Sequence, residues 1–494
     1  MKRRFKTASA LVLSIAAVIS ATACNQTPNQ PEVTTNPDFA PLEEYISTIT
    51  DSYKSKLAGG PNADIKVEKK IKWLSHWAID ETQAAAVLFK QVYGIPEMGN
   101  NDYGQFSNSI FDWKNVNYAD RYTQLAKDVT NGDSPDIFQF EITNFPYTAC
   151  KGLFQPIDDY IDFSNPMWDS NRETMEQFKW DNKSYCAITA LNLDQVLFYR
   201  RSVVSEAGLT DPYELVKAGN WNWNTFLEMC SQFSDPEAGK YCIDGHYIPD
   251  KFVCTTGVPL VEIKDGKLVN NFYNSDIERC MTTVIDTMTK ENYRYPRHEL
   301  NGWSVNESAW AKGDILFLGG LEYDIKDKFQ GYFKRFKWED GDLFCVPVPK
   351  DPNTEKYYQT MKNDSYMLCG GAKNTAGFAA WNLCCMATAY DKEAAKVGRL
   401  QLQTNYVGFS DEIMDWFDEL KYSGMLTPVF DFKDGIGQDI ADGNNAKNPV
   451  DGILNIPFLD GLDNEGNPAT FTTIRAANEG IVNSRIEDIN NGKL

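Results

Sequence analysis

The sequence predicts an α/β protein of two domains, and three observations carry that reading. The 494 residues can bury more than one core, and two domains are expected at such a length. A hydrophobic content of 42% and an aromatic content of 13% belong to a globular chain and not a disordered one. The third observation is the stretch from Val129 to Ile157. Asn131-Gly132-Asp133-Ser134-Pro135 is dense in turn formers and ends the preceding element. Asp136 to Phe140 is then an apolar run of strand length. Polar Glu141, Thr143 and Asn144 follow where the strand should end, and a second helical stretch stops near Gly152. In open α/β sheets, ligands bind just past the carboxyl ends of such strands. Phe140, Glu141 and Asn144 are therefore the first residues placed in a ligand site. The competing reading keeps Phe140 in the core and makes Glu141 a solvated loop acid.

The chain begins with Lys2, Arg3, Arg4 and Lys6, an apolar stretch from Ala8 to Ile19, and Ala21-Thr22-Ala23-Cys24. This pattern is a targeting segment, and its ending looks like a bacterial lipoprotein signal, with Ala21 where that motif prefers Leu. An ordinary signal-peptidase site at the same small residues is the alternative. The apolar stretch is short for a membrane span. Residues 1–23 are read as the signal and Cys24 as the lipidated (palmitoylated) first residue, a tether and not an insertion. Residues 24–45, polar and rich in Pro, Thr and Asn, read as a flexible leash.

Leu42 to Leu57 has the pattern of an amphipathic helix. Ile71 to Leu74 is a β-type run followed by Ser75, His76 and Trp77, and Asp80 to Tyr93 reads as a helix. Tyr118 to Thr130 is the next helix. Tyr185 to Tyr199 reads as strand, polar interruption at Asn192 and Asp194, then strand. Asn222 is an N-cap with Trp223 packed beneath it. Thr256 to Asn274 is a peripheral β segment, and Asp276 to Lys290 a helix. Lys312-Gly313-Asp314 leads into the apolar Ile315 to Gly319, and Gly341 to Pro352 holds another strand. Ser365 to Tyr390 gives a strand, Gly370-Gly371 and a long helix; Asp411 to Tyr422 is a clear helix. From Asp434 onward the chain is rich in Gly, Asn and Asp and carries no legible pattern.

These landmarks, in this order, resemble the extracellular solute-binding proteins of ABC importers, the family that includes the maltose-binding protein. The resemblance rests on Gly132-Asp133-Ser134-Pro135-Asp136-Ile137-Phe138, Gly152-Leu153-Phe154-Gln155-Pro156-Ile157, Phe89 to Gly94, Ala207-Gly208-Leu209, Asn222 to Phe226, Lys312 to Gly319 and the Pro-x-Pro at Pro347 and Pro349. It covers about Ile65 to Tyr422. Two departures stand out: Arg200-Arg201 replaces Asn-Lys after the crossover, and Leu321-Glu322-Tyr323 replaces an expected aromatic near Gly320. The resemblance implies a two-lobed, periplasmic-binding-protein-like fold of type II with a hinged interlobe cleft. Lobe 1 would comprise 46–185 and 341–395, and lobe 2 would comprise 186–340 and 396–494. It places Trp77, Asp80, Glu141, Asn192, Asp194, Glu322, Tyr323 and Tyr366 in the cleft. Trp303, in the polar frame Asn301-Gly302-Trp303-Ser304, is added as a large aromatic in a turn.

Composition narrows the function further. A net charge of −21 excludes polyanion binding, nucleic acid included, as the first reading. It also argues against anionic ligands. Only three histidines occur, far apart, and no Cys/His cluster has zinc spacing. No nucleophile elbow or phosphate loop is present, so neither catalysis, cofactor nor metal is expected. Of the eleven cysteines, ten follow Cys24; disulfides and buried free thiols are both open. Twelve Trp and twenty-four Tyr supply stacking surfaces for the C–H faces of sugars. The expected protein is a monomeric, lipid-anchored carrier on the outer face of the cell membrane that binds a carbohydrate, an oligosaccharide, and delivers it to an ABC permease. The alternative is a surface glycan-binding or glycoside-hydrolysing lipoprotein, which in the second case needs two spaced carboxylates.

Overall fold

Two β-sheets organise the chain. The computed structural model describes residues 42–97, 108–245, 247–296, 305–437, 439–441, 448–459, 461–462 and 466–494. Its strands are β1 (Ile71–Ser75), β2 (Phe111–Asn115), β3 (Ile137–Gln139), β4 (Cys186–Leu193), β5 (Val196–Arg200), β6 (Tyr241–Gly245), β7 (Val261–Lys264), β8 (Lys267–Asn270), β9 (Ile315–Gly320), β10 (Leu343–Val346), β11 (Tyr357–Leu368) and β12 (Leu426–Val429). The first sheet runs β12-β11-β3-β1-β2, with β4 also on β11; the second runs β10-β5-β9-β6, and β7 and β8 form a separate hairpin. The long β11 joins β12 through Tyr357 to Thr360, and β3 and β4 through its later residues.

The local chemistry explains the elements. In β9 every residue of ILFLGG is buried, as expected for a strand covered on both faces. Gly245 and Gly319 let β6 and β9 approach; a Cβ on Gly245 would sit 2.9 Å from the Gly319 Cα. Asn222 caps the helix Trp223–Phe233 in a reciprocal capping box with Thr225, and Trp223 beneath it is buried. Gly132, left-handed at φ 73°, closes the helix Arg121–Asn131. The helix Thr375–Ala389 is apolar nearly all round, since it is covered by the first sheet and by the helix Ala84–Tyr93.

Several boundaries differ from the sequence reading. The helix expected from Asp80 starts at Ala84, because the Asp80 carboxylate accepts the Thr82 N–H and hydroxyl in a local turn. β4 pairs along β11 in the first sheet, so the chain leaves that sheet after Leu193 and not at 186. β10 pairs with β5 in the second sheet, so the return at 341 moves to β11, and β12, within the 396–494 expected in the second lobe, pairs with β11 in the first sheet. β2 and β6 carry no expectation from the sequence. The unpatterned tail contains the helices Asp451–Leu459 and Phe471–Asn490. Cys230 and Cys242 are bridged; the other eight described cysteines are free, six of them buried. No described helix is long and apolar enough to cross a membrane. Cys24 and Trp303 lie outside the described residues.

Candidate functional site

Strand direction brings two sheet edges face to face. β1, β2 and β3 run parallel, and β4 shares their direction because both β3 and β4 are antiparallel to β11. In the second sheet β6, β9 and β10 share one direction, with β5 opposed. Only Asp194 and Gln195 separate the carboxyl end of β4 from the amino end of β5. The carboxyl edge of the first sheet therefore feeds directly into the carboxyl edge of the second, the position at which α/β sheets hold ligands. Buried Gln359 on β11 ties the two crossings: it donates to Gln195 O at 2.9 Å and accepts from Val348 N at 3.1 Å.

On the first edge stands an aromatic plate with a charged support. The Tyr118 ring, 48% exposed, has the Arg121 guanidinium 3.6 Å from its centroid on one side and His76 edge-on at 5.1 Å. Arg121 is itself buried; its Nε donates to Glu141 Oε1 at 2.9 Å and the Tyr122 hydroxyl donates to Oε2 at 3.1 Å. Burial, then the nearby Arg121 charge, holds His76 below its ordinary range. Burial, then Glu141, raises the Tyr118 phenol. An open groove of about 490 Å³ runs beside this plate, along Asn115, Asn117, Asp120 and Lys127.

The crossing carries a second group. Asp194 pairs with Lys251 and, at 3.1 Å, with Lys362. Burial works against the charged carboxylate, yet the two ammonium groups hold it well below the usual carboxylate range. Lys362 also lowers the Tyr118 phenol, and Asp194 raises that of Tyr323, so the first-edge plate, the crossing and the second edge share one electrostatic neighbourhood. Tyr323, just past β9, is 54% exposed. Beside it Glu322 takes Lys421 at 3.1 Å. Asn192, level with Lys362 in the β4–β11 register, donates to Asp364 Oδ2 at 2.6 Å.

The family profile described as bacterial extracellular solute-binding protein matches residues 111–396, more than half of the chain. The chain belongs to that family. A search of the curated proteins finds no match. Among solved structures, the ABC substrate-binding protein Lmo0181 of Listeria monocytogenes, in complex with cycloalternan, is similar at 14% identity and TM-score 0.57, over 85% of this chain and 99% of that one. The GacH receptor of Streptomyces glaucescens, solved unliganded and with acarbose, is similar at 13% identity and TM-score 0.56, over 86% and 100%. A cyclo/maltodextrin-binding protein complexed with maltotetraose follows at 14% identity and TM-score 0.55, over 86% and 99%. At these identities the likeness establishes the fold: a two-lobed solute-binding architecture.

Within this solute-binding protein, Glu141, Asn192, Asp194, Glu322 and Tyr323 come to the facing edges. Glu141 is engaged by Arg121 and Tyr122, and Asp194 by its two lysines. Trp77 follows β1 but is half-buried, edge-on to Trp73 at 5.3 Å. The Asp80 carboxylate is turned onto Thr82. Tyr366, partly buried between Trp73 at 5.7 Å and Trp381 at 5.8 Å, is level with Gln139, the last residue of β3. Phe140 is buried and packs on Phe145 and Phe178; Asn144 is buried too. Sequence reasoning missed Tyr118, Arg121, Lys251, Lys362 and Lys421. The polar Asn115-Val116-Asn117 before Tyr118 was the available signal, since it ends a strand.

Proposed function

We propose that this protein is the substrate-binding lipoprotein of an ABC importer, capturing a carbohydrate, an oligosaccharide, between its lobes and delivering it to the membrane permease. The observation that carries this reading is the pair of half-exposed rings, Tyr118 and Tyr323, beside acid–base pairs on two facing strand edges. A sugar offers apolar C–H faces to such rings and hydroxyls to carboxylates and ammonium groups. Lobes joined by Asp194-Gln195 and by the β10–β11 connection have the build of a hinge that closes on its ligand. The oligosaccharides in the complexes of the similar structures support the same class. The ligand set we propose is Tyr118, Asn192, Asp194, Glu322, Tyr323 and Lys362, with Trp77 at the rim. Lipidation at Cys24 would hold the monomeric protein at the outer face of the membrane, and carriage needs neither catalysis nor a cofactor.

The test uses the soluble chain from about residue 42 with a panel of glycans, read as melting-temperature shifts and then by calorimetry. A cognate glycan raises the melting temperature. Tyr118→Ala and Tyr323→Ala each weaken binding about 2- to 10-fold, equivalent to ~0.5–1.5 kcal/mol; Tyr323→Ala leaves the ligand-free melting temperature nearly unchanged, and Tyr118→Ala lowers it only by the lost stack on Arg121, about 0.5–2 kcal/mol. Binding of a non-glycan solute alone, or turnover of a glycan by the pure protein, overturns the reading.

A further inference from the structure

A buried ionic cluster lies where the C-terminal segment meets both lobes. After β12, Phe430 and Phe432 pack on Phe178, at 4.7 Å and 5.3 Å between centroids, inside the first lobe. The turn Lys433–Ile436 follows. Its Gly435 abuts the loop after β3 so closely that a Cβ there would lie 1.9 Å from Phe145 O. On its other side the segment is bound to the second lobe: Asp431 accepts the Leu260 and Val261 N–H groups at 3.2 Å and 3.1 Å. The turn is thus a strap across the lobe junction.

Four carboxyls surround one ammonium on this strap. Lys433, 5% exposed, pairs with Asp451, with Asp434 at 2.6 Å and with Asp250 at 3.8 Å. Asp451 is wholly buried at the head of the helix Asp451–Leu459 and accepts Asn448 Nδ2 at 2.9 Å. Asp431 completes the set, held by backbone N–H groups. Among the described residues, Asp250 Oδ1 and the Tyr247 hydroxyl are buried without a hydrogen-bond partner. A second-lobe helix, Ile248–Cys254, carries Asp250. The same helix carries Lys251, which is engaged by Asp194 at the crossing. The groups facing Asp250 are Lys433, Asp431 and Asp434 from the strap, Asp451 from the helix behind it, and Tyr247, Lys251 and Cys254 from its own element. His246 lies outside the described residues.

We propose that this cluster is a proton-linked lock on the lobe arrangement. With Asp250 protonated, the strap is held in the packed position. When that O–H releases its proton to water, a further carboxylate is left in a water-poor site already rich in carboxylates, and the strap loosens. Burial, opposed by Lys433, pushes the Asp250 carboxyl up to about 6, and burial, then Asp434, raises that of Asp451. The sign follows from linkage. Asp250 is raised in the packed form and has an ordinary value near 4 when released. The packed form is therefore favoured below about 4 and loses ground until about 6, with no further change above.

The experiment uses the ligand-free chain, spin-labelled once on each lobe, with interlobe distances and melting temperatures recorded from pH 4 to 8. Wild type should shift its distance distribution between about pH 4 and 6 and stay constant above. Asp250→Asn, a neutral mimic, should keep the acid distribution throughout, and its melting temperature should exceed that of wild type by a margin that grows across the same interval. Asp434→Asn removes a neighbouring negative charge and should move the wild-type midpoint to lower pH. A flat wild-type profile, a transition that survives unchanged in Asp250→Asn, or an unmoved midpoint in Asp434→Asn overturns the proposal.

Discussion

Replacing Glu141 by alanine should unfold the first lobe before it weakens solute binding. Arg121 and Glu141 are 5% and 18% exposed, so both charges are largely out of water. The guanidinium is fixed from two sides: Nε on the carboxylate at 2.9 Å and the ring of Tyr118 at 3.6 Å. Alanine at 141 removes the only acid that pairs with Arg121 among the described residues and strands a buried cation. Breaking such a pair by deleting one partner costs about 3–5 kcal/mol. Glu141→Gln keeps the shape and an acceptor while losing the charge, and should cost less, about 1.5–3 kcal/mol, the range for a charged hydrogen bond. For a unit of lobe size each kcal/mol lowers the melting temperature by ~2–4 °C. Urea and thermal unfolding, read by tryptophan fluorescence and by calorimetry, check both variants; two probes are needed because lobes need not melt as one unit. If Glu141→Ala stays within ~1 kcal/mol of wild type and instead loses solute affinity, the carboxylate is a ligand contact and the clamp argument is wrong.

Other substitutions separate packing from binding. Tyr366→Ala, between Trp73 and Trp381, and Trp77→Ala, edge-on to Trp73, both partly buried, should each cost about 1–3 kcal/mol of stability; a solute-affinity loss without a stability loss at either would make that ring a ligand contact and not packing. Asp194 is depressed in the folded state, so its contribution is fully present above its ordinary value near 4 and is lost as pH falls below it. Melting curves of wild type should therefore fall toward Asp194→Asn between about pH 4 and 2, and parallel curves would contradict the two-lysine arrangement. The Cys230–Cys242 bridge closes a loop of sequence separation 12, and opening it with Cys230→Ser and Cys242→Ser together should cost about 3 kcal/mol, measured by urea unfolding against wild type.

Much of the architecture is legible because it rests on local chemistry. The turn at Asn131 to Pro135, the strand Ile137–Gln139 and the polar residues after it need no distant partner to be recognised. The same is true of the Asn222 capping box and of the helix Asp411–Tyr422, which begins and ends as its pattern indicates. What failed depends on pairing between remote segments. Cys186–Leu193 is apolar enough for either lobe, and only its ladder with β11 assigns it to the first sheet. The tail has few signals because its helix Asp451–Leu459 is buried throughout and contains Pro457, so it shows no amphipathic period to read.

The candidate site shows the same division at the level of side chains. The rule that ligands gather past strand carboxyl ends singled out Glu141, Asp194, Glu322 and Tyr323, which do follow β3, β4 and β9, yet it could not say which acids were already engaged. Arg121 sits twenty residues before Glu141, and nothing in the spacing couples them. Tryptophan was the obvious stacking residue by count, but the described tryptophans are buried or half-buried, and the half-exposed rings are tyrosines. That outcome has a physical cause: tyrosine can leave its hydroxyl in water while its ring stays available, whereas an indole gains more from full burial. Tyr118 escaped notice because β2, FDWKN, is five residues long with two of them charged, too weak a strand signal to nominate its own carboxyl end. Had that strand been recognised, the reasoning that singled out Glu141 after β3 would have singled out Tyr118 after β2. The half-exposed ring proposed to meet a ligand on the first lobe was thus hidden by a weak strand and not by a failure of the edge rule.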